Sequence, residues 1–151
     1  MSVRSFIDAN ILLYADSPTE PDKQSIALGL IAEQLRAGSG VISMQVLHEF
    51  VAAGLKKLAL PDSLVQSRID LYSRFDIVTP GVGALKEALA LRVMHALSFW
   101  DALIIQAARD GGCSTLLTED LSTGATIGGV LIVNPFEGEA STDPGRGERR
   151  A

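Results

Sequence analysis

The 151-residue chain lacks several features that would assign it to a special class of protein. It has one cysteine, Cys113, which excludes a disulfide framework and a cysteine-based metal site. No apolar run approaches the ~20 residues that a membrane-spanning helix needs. Asp8 interrupts the apolar start of the chain too early for the core of a signal peptide. We therefore expect a globular protein of the reducing cytoplasm, with no membrane contact.

Basic residues are also too few for a simple nucleic-acid-binding protein. The formal net charge is −5, whereas such proteins usually carry a basic surplus. Residues 1–136 contain 10 Lys and Arg against 14 Asp and Glu. If bound cations neutralise five of these acids, the bases slightly outnumber the rest. An RNA-binding surface is therefore not excluded, and Lys56, Lys57, Arg68 and Arg74 are candidates for phosphate contacts. The alternative for each is a solvated helix surface.

Short apolar segments alternate with longer amphipathic segments along the chain. Strands are predicted at residues 3–7, 40–44, 76–80, 114–118 and 130–134. Helices are predicted at residues 10–15, 21–38, 43–60, 62–75, 83–96 and 98–112. In the helix at 43–60 the spacing directs Val46, Leu47, Phe50, Val51 and Leu55 inward. The alternation predicts one α/β domain over residues 1–136 with a mainly parallel sheet. Residues 137–151 have no apolar periodicity and predict a disordered tail.

Four acidic residues stand beside core-forming sequence. Asp8 follows the first strand, and Asp120 follows the strand at 114–118. Asp101 lies in the first turn of its helix, and Glu49 lies at the edge of a buried stripe. In open α/β sheets the functional crevice lies at the carboxyl ends of the strands. Converging carboxylates repel one another unless cations lie between them, and Mg²⁺ or Mn²⁺ suits oxygen ligands.

Each of these acids also has a purely structural alternative. Asp8 and Asp101 could cap helices, Glu49 could be a solvated helix residue, and Asp120 could belong to a turn. Other catalytic motifs are incomplete: the zinc-protease pattern that begins at His48 has no second histidine, and no glycine-rich phosphate loop is present. Only the conjunction of the four acids favours a metal site.

Four segments occur in the order typical of one family. FIDANILLYA, SMQVLHEF, SFWDALIIQAARDGGCSTLLTEDL and VLIVNPF resemble the PIN domain over residues 3–136. Among PIN domains the chain is most similar to VapC-type toxins of toxin–antitoxin pairs. The resemblance implies a PIN-like α/β/α sandwich and an endoribonuclease that depends on Mg²⁺ or Mn²⁺. The carboxylates that it assigns to metal binding and catalysis are Asp8, Glu49, Asp101 and Asp120. The polar residues that it assigns to the pocket are Asn10, Ser43, Thr118 and Glu119.

The resemblance also implies partners: an RNA substrate, a VapB-type antitoxin and a second copy of the chain. Residues 25–38 and 46–60 supply apolar area for a groove that could take a partner helix. Phe99 and Trp100 are expected to pack in the core or an interface rather than to stack on bases. Two other functions stay open. One is a binding module without turnover, and the other is a nuclease that acts on DNA or flap structures.

Overall fold

The computed structural model describes residues 3–137. Within them the strands are β1 (Ser5–Ile7), β2 (Gly40–Ser43), β3 (Asp76–Val78), β4 (Thr115–Leu117), β5 (Thr126–Ile127) and β6 (Val130–Val133). They form a six-stranded sheet with the order β3-β2-β1-β4-β6-β5, so β1 lies inside it. All neighbouring pairs are parallel except β5 with β6. Every residue of β1 and β2 is buried, which is typical of parallel strands covered on both faces.

Helices cover the two faces of this sheet. Their bounds are α1 (Ala9–Tyr14), α2 (Pro21–Ala37), α3 (Met44–Lys56), α4 (Asp62–Tyr72), α5 (Val82–His95) and α6 (Phe99–Asp110). The helix α6 packs on β2, β4 and β6, and α5 packs on α6. The helices α2 and α3 pack on β2, and both contact α1. This arrangement confirms the predicted PIN-like sandwich with a mainly parallel sheet.

Local sequence explains where several of these helices begin and end. The hydroxyl of Ser43 accepts a hydrogen bond from the backbone N–H of Val46, 3.3 Å away, at the start of α3. Ser98 caps α6 in the same way, through the N–H of Asp101 at 3.1 Å. Gly38 ends α2 in the left-handed conformation, with φ of 66°, where glycine is favoured because it has no Cβ.

Three local predictions differ from the structure. Leu55 was expected inward but is 40% exposed, because Gly54 occupies the buried position in the last turn of α3. Trp100 is 62% exposed, so it does not belong to the core of this chain. The strand β5 was not predicted because it has only two residues. It pairs with β6 across the turn of Gly128 and Gly129, both with positive φ.

Two further sequence predictions concern the tail and the membrane. Apart from Glu137, the predicted tail lies outside the described residues. Within residues 3–137 no single helix is long and apolar enough to span a bilayer. The helices α5 and α6 reach the necessary length only together, as a pair bent by 118°.

Candidate functional site

The centre of the candidate site is formed where β1 and β4 end side by side. These strands are parallel, and Ile7 lies opposite Leu117. The backbone N–H of Asp8 donates to the carbonyl of Leu117 at 3.1 Å, which continues the pairing by one residue. Asp8 and Thr118 therefore occupy neighbouring positions at the carboxyl edge of the sheet, where α/β proteins place ligands.

Asp8 is the most deeply buried of the four acids, with 8% of its surface exposed. Its Oδ1 accepts from the N–H of Ala9 at 2.8 Å, and its Oδ2 accepts from the hydroxyl of Thr118 at 2.8 Å. Burial raises the pKa of Asp8 to about 6, although these two hydrogen bonds act in the opposite direction. The carboxylates of Glu49 and Asp120 contribute smaller increases to this pKa of about 6. Asp8 therefore lies close enough to both acids to feel their charge.

A hydrogen-bond network around Thr118 joins Asp8 to Asp120. The amide nitrogen of Asn10 donates to Thr118 Oγ1 at 3.2 Å and to Asp120 Oδ2 at 3.0 Å. Thr118 Oγ1 also accepts from the backbone N–H of Asp120 at 3.1 Å. Asn10 Oδ1 accepts from the backbone N–H of Glu119 at 3.3 Å. Four of the polar residues named from the sequence, Asp8, Asn10, Thr118 and Asp120, are thus brought together.

Glu49 and Asp101 lie on helices that start at the same edge of the sheet. Glu49 is exposed on α3, and its Oε1 accepts from the side chain of Gln45 at 2.9 Å. The same Gln45 nitrogen approaches the carbonyl of Trp100 at 3.5 Å, so Gln45 links Glu49 to the first turn of α6. Asp101 lies in that turn and is half-buried, where the helix dipole favours a carboxylate.

Glu119 faces away from this network toward α1 and α2. Its Oε1 accepts from the hydroxyl of Tyr14 at 2.6 Å, and its Oε2 pairs with Lys23 at 2.6 Å. The ammonium of Lys23 lies 4.8 Å from the ring centre of Tyr14 and 5.6 Å from that of Phe136. This cluster anchors the loop that carries Asp120.

The sequence alone does not indicate Lys23 or Phe136 in this cluster, because both are distant from residue 119 along the chain. The position of Tyr14 in this cluster could be predicted, because Tyr14 lies four residues after Asn10 and so shares the same face of α1. Ser43 is buried, and its hydroxyl accepts the hydrogen bond that caps α3. Its assignment to the pocket stays a prediction.

A preformed metal cage is absent from the described part of the chain. Among residues 3–137 no three His, Cys, Asp or Glu side chains are close enough to hold an ion by themselves. The oxygen donors nevertheless suit Mg²⁺, which is usually held by one or two carboxylates, with waters and substrate phosphates completing the shell. Asp8 and Asp120 fit such a shell, because each has a carboxylate at the edge and Asp8 carries an unfavourable buried charge.

The basic candidates lie away from the carboxylates. Lys56 and Lys57 are exposed at the far end of α3, about 20 Å along the helix from its start. Arg74 precedes β3 and is therefore at the opposite edge of the sheet. The guanidinium of Arg68 is occupied by Asp16, with contacts of 2.9 Å from both Nε and Nη2. A role for these four residues in RNA binding stays a prediction.

An open apolar groove of about 560 Å³ adjoins the acidic site. It lies between the start of α3, the loop after β3 and the start of α6, at the same edge of the sheet as Asp8. The residues that line it are Met44, Gln45, His48, Glu49, Pro80 and Trp100. Glu49 belongs both to the groove and to the carboxylate group, so the two are continuous.

Comparison with known proteins defines the class to which this fold and site belong. The family model of the PIN domain matches residues 5–122. The chain therefore belongs to the PIN-domain family. No curated protein matches the chain at a significant level.

Solved structures share the fold at low sequence identity. A toxin–antitoxin complex from Klebsiella pneumoniae has a chain 24% identical, with 87% of this chain and 97% of that chain covered and a TM-score of 0.62. VapBC2 from Rickettsia felis, bound to a DNA fragment from its promoter, gives 20% identity, coverage of 87% and 98%, and a TM-score of 0.64. VapC20 of Mycobacterium tuberculosis, a sarcin-ricin-loop-cleaving toxin, gives 17% identity, coverage of 77% and 91%, and a TM-score of 0.57.

Proposed function

We propose that this chain is a metal-dependent endoribonuclease and the toxin member of a VapC-type toxin–antitoxin pair. The observation that carries the proposal is Asp8, a buried carboxylate of raised pKa that feels the charges of Glu49 and Asp120 at the carboxyl edge of a PIN-domain sheet. A folded protein retains such an arrangement at a cost in stability, which indicates a functional site.

In this proposal the four acids divide the work. Asp8, Glu49 and Asp101 would bind Mg²⁺ or Mn²⁺ together with waters and substrate phosphate oxygens, since no three of the acids can hold an ion by themselves within residues 3–137. Asp120 would complete the site or orient the attacking water. A divalent ion held by these carboxylates would supply hydroxide at neutral pH, and a second ion would stabilise the leaving oxygen. Thr118 keeps Asp8 in place through its donated hydrogen bond, and Asn10 fixes the distance between Thr118 and Asp120.

The proposed partners occupy different surfaces. A VapB-type antitoxin would dock a helix on the groove of residues 25–38 and 46–60, where Leu28 and Leu55 are 51% and 40% exposed. A second copy would cover the apolar stripe of α5. The residues of that stripe are Val82, Leu85, Leu89 and Val93, each at least 40% exposed, with helical spacing.

Cleavage of a mixed RNA pool tests the proposed activity. The purified protein is incubated with Mg²⁺, Mn²⁺ or EDTA, beside Asp101→Asn and a control, Asp70→Asn, which changes an exposed acid on α4. Cuts should need metal and persist in the control. They should be abolished in Asp101→Asn, because a ligand of the metal that activates the attacking water is lost. Unchanged cleavage by Asp101→Asn contradicts the assignment.

Two further arms address the alternatives. Parallel digestion of RNA, single-stranded DNA and flap DNA distinguishes a ribonuclease from a DNA or flap nuclease. Mn²⁺ binding, followed by electron paramagnetic resonance in the wild type and in Asp8→Asn, tests the metal site without reference to turnover. Metal binding without cleavage of any substrate would identify the chain as a binding module. In cells, induced wild-type protein should arrest growth and Asp101→Asn should not.

A further inference from the structure

We propose that the groove beside Glu49 seats one unpaired nucleobase of the RNA substrate, with Trp100 as its stacking platform. This inference rests on the proposed ribonuclease activity and concerns how the same site selects its substrate. The juxtaposition that supports it is continuity: Glu49 lines the groove, and so does Trp100, which immediately precedes Asp101. A base in the groove therefore belongs to a nucleotide whose backbone runs past the carboxylates.

Trp100 has the geometry of a stacking residue rather than of a core residue. Its side chain is 62% exposed, although it immediately precedes Asp101. The neighbouring Phe99 ring meets it edge to face, with centroids 5.2 Å apart and an angle of 68°. This contact supports the indole and leaves indole surface exposed to solvent. Proteins recognise unpaired RNA by stacking splayed-out bases on such exposed aromatic rings.

The rest of the groove combines an apolar floor with a few polar groups. Met44 and Pro80 supply apolar surface, and His48 supplies an exposed imidazole. Gln45 Oε1 is buried and has no hydrogen-bond partner within residues 3–137. The Gln45 nitrogen is held by Glu49, so the oxygen stays an acceptor. Gln45 thus adds a polar amide to the lining of the groove.

A nucleobase fits this groove better than an anionic partner. The base is neutral, so it approaches Glu49 without the repulsion that a phosphate or an acidic peptide meets there. The groove measures about 560 Å³, within the range of small-molecule sites. The exposed apolar stripe of α5 and the exposed leucines of α2 and α3 offer separate surfaces for protein partners.

The chain offers a direct probe, because Trp100 is its one tryptophan. Tetraribonucleotides of A, C or U are titrated into Asp101→Asn with Mg²⁺, so that the RNA is not cut, and tryptophan fluorescence is recorded. A ribose–phosphate tetramer without bases serves as the matched ligand. We expect saturable quenching by at least one base-containing tetramer and none by the baseless one.

Variants of the platform provide a second readout, the anisotropy of a labelled tetramer. Trp100→Ala should weaken binding ~5- to 150-fold, as for loss of one stacked base, and Trp100→Phe should restore most of the affinity. The control Val3→Ala shortens a similarly exposed apolar side chain that precedes β1 and should bind like the wild type.

The outcomes separate this inference from the proposed function. We call the proposed nucleobase site in the groove the base seat. If wild-type protein cuts RNA but the indole fluorescence does not respond and Trp100→Ala binds RNA normally, the base seat is wrong and the proposed ribonuclease activity is retained. If bases quench Trp100 but no metal supports cleavage, the ribonuclease is wrong and the base seat stands. If the fluorescence changes with protein concentration alone and RNA adds nothing, a second copy covers Trp100 and the base seat is wrong.

Discussion

Replacing Asp8 with asparagine should make the protein more stable at neutral pH in the absence of metal, although it removes a residue of the site. Asp8 is buried, and its pKa rises from 3.8 to about 6 on folding. The native state therefore binds more protons than the unfolded state between these pH values. Stability contributed by this group is consequently lost as the pH rises through about 4 to 6. Above pH 7 the ionised carboxylate carries its full cost.

The structure sets the size of this effect. At 1.36 kcal/mol per pKa unit, the shift corresponds to about 3 kcal/mol at pH 7.5 and about 1 kcal/mol at pH 4.5. Asparagine avoids this cost, and its Oδ1 can still accept from Ala9. Its nitrogen, however, meets Thr118 Oγ1, which already accepts from Asn10 and from the N–H of Asp120. The hydrogen bond thus lost costs about 1 kcal/mol. The net gain is about 2 kcal/mol at pH 7.5 and near zero at pH 4.5.

Thermal unfolding in EDTA, read by circular dichroism at both pH values, measures the difference. For a chain of this length ~2 kcal/mol corresponds to a rise in Tm of about 4–8 °C. Asp70→Asn, an exposed acid on α4, is the control for a general change of charge. Saturating Mg²⁺ should raise the Tm of the wild type and narrow the gap to Asp8→Asn. A Tm for Asp8→Asn below that of the wild type at pH 7.5 would refute the argument from burial.

Two further predictions concern packing and association. A Cβ at Gly111 would lie 2.8 Å from Val41 Cγ1 and 3.3 Å from Val78 Cγ2, so Gly111→Ala should cost about 1–3 kcal/mol in urea unfolding. In contrast, a Cβ at Gly29 within α2 would lie in open space, so Gly29→Ala should stabilise the folded protein by about 0.5–1 kcal/mol. Equal effects of the two substitutions would contradict the close packing described at Gly111. The side chain of Val93 on α5 is 79% exposed. If α5 forms the dimer contact, Val93→Glu should give monomers in analytical ultracentrifugation. The Tm measured at low protein concentration should not change. A dimer that survives Val93→Glu would place the contact elsewhere.

The sheet and its helices could be predicted because their signals are local. The buried strands β1 and β2 are short apolar runs, and α2 ends at a glycine whose conformation the sequence suggests. The errors occur where local pattern and tertiary contact disagree. Leu55 has the right helical spacing but stands in the last turn of α3, where the smaller Gly54 is buried instead. A two-residue strand such as β5 has no periodicity to detect.

The candidate site could be predicted in its residues but not in its connections. Asp8, Thr118 and Asp120 follow strands, so topology alone brings them together. The ion pair of Lys23 with Glu119 joins residues 96 positions apart, and Gln45 links Glu49 to Trp100 through side-chain geometry that no spacing encodes. Trp100 was expected in the core or in an interface, and its exposure excludes only the core of this chain, because the sequence pattern does not distinguish a buried aromatic residue from one that awaits a partner.

The order of the strands places the carboxylate network and the groove on different elements of the fold. The residues of the network around Thr118 follow β1 and β4. The groove, in contrast, is lined by residues that follow β2 and β3 and by the start of α6. A change of side chain at Met44, His48 or Pro80 can therefore alter the shape of the groove without moving a hydrogen bond between Asp8 and Asp120. A scaffold of this kind can diversify what it recognises, one substitution at a time, while its reactive centre stays intact.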